Sequence, residues 1–79
     1  MTLSRAIAKR IEGLCMERNI TLNKLATLAG FHRSTLEHLF KDSVKDPRIK
    51  TLYKIATAFN MTLSELFDFP EMNEVMFDE

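Results

Sequence analysis

Between Thr21 and Phe40 the chain carries two short apolar stripes at helical spacing, joined at a single glycine. Leu22, Leu25, Ala26 and Ala29 form the first stripe, and Leu36, Leu39 and Phe40 the second. Gly30 stands where the first helix must stop and reverse, a position that favours a left-handed residue. Two helices so joined read as a helix-turn-helix.

The rest of the sequence predicts an all-α chain. Leu3, Ile7, Ile11, Leu14 and Cys15 recur at helical spacing and place a first helix at about residues 4–18, with Thr2 or Ser4 as its cap. Asn19 ends it, Ile20 re-enters the core, and Thr21 caps a second helix over 22–29. A third covers 33–40. Lys41 to Lys50 has no apolar period and contains Pro47, which predicts a loop. Leu52, Ile55, Ala56 and Phe59 define a fourth helix at 49–59. Thr62 and Glu65 form a capping box for a fifth at 63–67, with Met61 stapled onto Leu66 and Pro70 ending the run. No internal repeat is apparent.

Size and charge narrow the function. Seventy-nine residues, 46% of them apolar, suit one small helical domain better than disorder. Two Gly and two Pro leave little room for the turns of an all-β fold. No apolar run approaches ~18 residues and no cleavable leader is evident, so the sequence reads as soluble and cytoplasmic. Residues 1–67 hold all 11 Lys and Arg but six of the 11 acids, a net +5; residues 68–79 hold the other five acids and no base, a net −5. A basic body is compatible with polyanion binding, although +5 decides nothing by itself. There is no catalytic Ser/His/Asp set and no glycine-rich phosphate loop. His32, His38 and Cys15 have no recognised zinc spacing. No enzyme activity, cofactor, metal, membrane association or small-molecule substrate is expected. Cys15 lies on an apolar stripe and reads as a packed thiol.

The run Thr21…Leu25-Ala26…Ala29-Gly30…Leu36…Leu39…Pro47…Leu52…Ile55-Ala56…Phe59…Leu63-Ser64-Glu65-Leu66-Phe67 resembles the Cro/phage-repressor (XRE-type) helix-turn-helix family over roughly residues 5–67. The resemblance implies a compact five-helix bundle of the lambda repressor-like type, with residues 1–67 as the DNA-binding domain and 68–79 as an acidic, apolar tail. It also implies a DNA-binding transcriptional regulator, in all expectation a repressor, that binds double-stranded DNA as a homodimer.

A helical wheel examines helix 33–40 without the resemblance. Leu36, Leu39 and Phe40 fall within about one third of the circle, while Ser34 and His38 point the opposite way. Arg33 and Glu37 lie on one flank and Thr35 on the other. This face can be ordinary solvated surface. The family's base-contacting positions fall on Arg33, Ser34 and His38, and the wheel agrees. Arg33 can fork onto guanine O6 and N7, and Ser34 and neutral His38 can donate to or accept from base edges. Glu37 can accept from cytosine or orient Arg33, four residues away. By resemblance, phosphate contacts fall on Asn23, Lys24 and Thr27, and on Lys41, Lys45, Arg48 and Lys50, while Thr35 can reach a phosphate or a thymine methyl.

The sequence departs from the family pattern in three ways. Leu22 stands where many relatives hold a phosphate with glutamine, so that anchor is lost or moves to Asn23. Cys15 and Phe40 replace an arginine–glutamate pair, which predicts that the two touch and that an apolar contact replaces a buried ion pair. Asp42 replaces the usual glycine after the third helix.

Phe69, Met72, Val75, Met76 and Phe77 make the tail unusually apolar, and they are expected to pack on a partner subunit or on the chain's own body. The alternative function is a protein-interaction module, such as an antitoxin or adaptor built on the same fold.

Overall fold

The computed structural model describes residues 3–39 and 48–74. Within them lie α1 (Leu3–Arg18), α2 (Leu22–Ala29), α3 (Arg33–Leu39), α4 (Ile49–Ala58) and α5 (Leu63–Leu66), then a 3-10 segment at Pro70–Glu74. No strand occurs among the described residues. The all-α, five-helix expectation holds, with shifts at the ends. Helix α1 starts at Leu3, so Ser4 sits buried inside the first turn instead of capping it. Thr2, the other candidate cap, lies outside the described residues. Phe59 and Phe67 are C-caps and not the last helical residues.

The stripes meet in one core. Ile7, Ile11, Leu14 and Cys15 of α1 join Leu25 and Ala26 of α2, Leu36 and Leu39 of α3, Leu52, Ile55 and Ala56 of α4, then Phe59 and Leu66. Helix α2 packs against both α3 and α4, so the helix-turn-helix is held from behind by the fourth helix. Leu22 is half-buried against this core. The position that costs a phosphate anchor therefore gains an apolar contact.

Three helices end alike. After α1, α2 and α4 the chain enters the left-handed region at Asn19 (φ 55°), Gly30 (φ 80°) and Asn60 (φ 61°). The next amide donates back across the last turn, from Ile20 to the Cys15 carbonyl (3.0 Å), Phe31 to Ala26 (2.8 Å) and Met61 to Ala56 (2.8 Å). This is the Schellman closure, and it carries an apolar residue inward each time. Ile20, Phe31 and Met61 all pack on the core. Two of these ends continue into threonine caps. Thr21 Oγ1 accepts from the Lys24 amide, while Thr62 and Glu65 complete the expected capping box. Asn19-Ile20-Thr21-Leu22 and Asn60-Met61-Thr62-Leu63 are thus one corner used twice.

Gly30 carries the sharpest local demand. A Cβ there would meet nothing within 4 Å, so substitution is penalised by its left-handed backbone alone. Gly30→Ala is expected to cost about 1–2 kcal/mol, read as a lower urea midpoint at unchanged slope.

Candidate nucleic-acid interface

The α2–α3 corner sets the outward face of α3. Leu36 and Leu39 are buried, while Arg33, Ser34, Thr35, Glu37 and His38 are all exposed. Arg33, Ser34 and His38 are thus all open to solvent on α3, together with Thr35 and Glu37. Arg33 does not stand alone there. Its Nε donates to Glu37 Oε1 at 2.9 Å, the i,i+4 pairing anticipated from the sequence. Its Nη1 donates to Asn23 Oδ1 at 3.2 Å, across the corner on α2.

Five of the expected phosphate anchors outside α3 are exposed. Asn23, Lys24 and Thr27 are exposed on α2, and Arg48 and Lys50 are exposed at the start of α4. The Thr27 hydroxyl donates to the Asn23 carbonyl at 3.0 Å, so its proton is already engaged. Lys41 and Lys45 lie outside the described residues. Sequence reasoning passes over Lys54, whose ammonium sits 5.5 Å from the centre of the Phe31 ring. That contact places another cation beside the residues that lead into α3. The signal was available: Lys50 and Lys54 are four apart on α4, hence neighbours on its surface.

Two arginines of α1 serve the fold. Arg18 Nη1 donates to the Phe59 carbonyl at 2.7 Å with its guanidinium over the Phe59 ring. Arg10 donates to the Leu66 and Glu65 carbonyls at 3.0 and 2.9 Å and lies 5.4 Å from the centre of the Phe69 ring. Both satisfy carbonyls that a helix end leaves without intrahelical partners.

The tail divides. Phe69 lies against Arg10, Met72 packs on the core, and the 3-10 segment touches α1, so these residues pack on their own body while keeping partial exposure. Val75, Met76 and Phe77 lie outside the described residues. Cys15 is buried, and desolvation followed by the charge of Glu12 pushes its thiol pKa up, as a packed thiol requires. Its expected partner Phe40 lies outside the described residues, as does Asp42.

Comparison with known proteins bears on the family and the fold. A family model described as Cro/C1-type HTH DNA-binding domain matches residues 10–71. The crystal structure of the prophage Lp1 protein 11 is similar at 33% sequence identity and a TM-score of 0.84, over 95% of this chain and 99% of that one. No curated protein sequence matches this chain.

Proposed function

Since the chain belongs to the Cro/C1-type helix-turn-helix DNA-binding domain family, we propose that it is a sequence-specific transcriptional repressor that lays α3 into the major groove as a homodimer. The observation that carries this reading is the sorting of α3, with Leu36 and Leu39 buried and Arg33, Ser34 and His38 exposed. Arg33, Ser34 and His38 read base edges. Asn23, Lys24, Thr35, Lys41, Lys45, Arg48 and Lys50 hold phosphates, and Thr27 joins them by turning its hydroxyl proton away from the Asn23 carbonyl. Residues 1–67 form the DNA-binding unit and act in the cytoplasm. Among the described residues no helix is long and apolar enough to cross a membrane.

Salt dependence tests the reading. Affinity for random duplex is expected to fall steeply between low and moderate salt, and Lys50→Ala should flatten the log–log slope by about 1 while weakening all sequences alike. A flat salt response would refute DNA binding. It would favour the second reading, an interaction module, which Ile49 and Tyr53 support: they lie four residues apart on α4 and are 64% and 60% exposed.

One recognition helix offers few base contacts, so the dimer places two of them about 34 Å apart along the duplex. In this reading residues 68–79 supply the dimer surface through Val75, Met76 and Phe77, joined by the parts of Phe69 and Met72 that stay exposed beside their packing on the body. Removing residues 75–79 should leave the body folded and shift the solution mass toward the monomer. An unchanged mass would remove the tail end from the dimer.

A further inference from the structure

We propose that Asn23 and Glu37 are positioning residues that hold Arg33 in its reading pose, and that Asn23 ties this pose to the phosphate backbone. The inference rests on the DNA reading proposed above for α3. Arg33 is gripped from two helices: Glu37 takes its Nε–H within α3 at 2.9 Å, and Asn23 takes an Nη1–H from α2 at 3.2 Å. Two partners in different directions fix the guanidinium plane, whereas one would leave it free to swing. A guanidinium carries five N–H donors. With two engaged, three remain on Nη1 and Nη2, enough for a fork onto guanine O6 and N7.

Asn23 has a second role available. Arginine offers only donors, so Asn23 must meet it with its carbonyl oxygen, which leaves both amide protons for another acceptor. Asn23 is exposed on the α2 face that flanks α3. A phosphate bound there would press on the same side chain that orients Arg33.

The setting argues for orientation more than for stability. The Arg33 and Glu37 side chains are 53% and 52% exposed, and exposed pairs of this kind add little to folding. What the pair supplies is order in a flexible side chain before DNA arrives, so less freedom is lost on binding. Glu37 also sets a negative charge on a face that meets phosphates. Sequences without the matching guanine therefore meet repulsion that Arg33 does not offset.

Parallel selections from one random duplex pool test this with the unchanged chain, Asn23→Ala, Asn23→Asp, Glu37→Ala and Glu37→Gln. The unchanged chain should enrich a motif with one G·C pair fixed. Asn23→Ala and Glu37→Ala should keep the rest of the motif and lose about 3- to 10-fold of preference at that pair. Glu37→Gln retains an acceptor and should keep most of the preference, yet bind random duplex about 2- to 5-fold more tightly because a negative charge is gone. Asn23→Asp should likewise keep the preference while weakening every sequence. In the DNA-free protein, exchange of the Arg33 Nε–H with water, followed by NMR, should speed up in Glu37→Ala. Undiminished preference in both alanine variants would overturn the positioning role and leave the DNA reading standing. Failure of the unchanged chain to enrich any sequence would overturn both.

Discussion

Phe59→Ala is expected to lower the melting temperature by at least about 15 °C, the largest stability loss of any single truncation among the described residues. Phe59 is 1% exposed and is the largest of the fully buried side chains among the described residues. Emptying such a site removes the transfer energy of a whole ring and leaves a cavity that neighbours fill only in part, about 3–5 kcal/mol in all. A chain of this size has about 4–12 kcal/mol of stability in total, so the variant would approach the unfolding threshold at 37 °C. The position also carries a second load, since Arg18 binds its carbonyl and covers its ring. Thermal unfolding followed by far-UV circular dichroism measures the effect. Phe59→Leu, which retains most of the volume, should lose far less. Equal losses in the two variants would mean that the ring itself is not what fills the core.

Arg33→Ala is expected to lower affinity for the selected operator by about 1–3 kcal/mol, or about 5- to 150-fold, and to relax the base preference at one position. The loss on random duplex should be small, because in this reading Arg33 meets base edges and not a phosphate. That asymmetry separates a base-reading arginine from an anchor such as Lys50, whose removal weakens every sequence alike. Arg33→Lys should not restore the preference, since an ammonium cannot present two parallel donors to guanine. Titrations on operator and random duplex at one salt concentration decide the matter. An equal loss on both would reassign Arg33 to the backbone.

Local chemistry made much of this fold legible. Gly30 at a left-handed corner, Thr21 at a cap and the Thr62–Glu65 box each announce a boundary within four residues, and each stands where the sequence places it. What escaped depends on distance along the chain. The bonds of Arg10 and Arg18 span 56 and 41 residues, so spacing on α1 shows only a polar face. The 3-10 segment at Pro70–Glu74 was hidden because proline reads as a helix breaker; it also fits the first turn of a helix, where its missing N–H loses nothing. At the interface, Arg33–Glu37 was visible as an i,i+4 pair. Asn23, ten residues away across a corner, could not be found before the corner was built.

The doubled corner, Asn-apolar-Thr-Leu, has no slack residue: one turns left-handed, one plugs the core, one caps and one begins the next helix. An added residue at either place would rotate the following helix by about 100° and carry its stripe toward solvent. At the first corner, the misdirected α2 would take α3 with it, because the two are packed together. Length at these bends is therefore constrained as tightly as composition, and a one-residue insertion there should do more harm than most substitutions on the recognition surface.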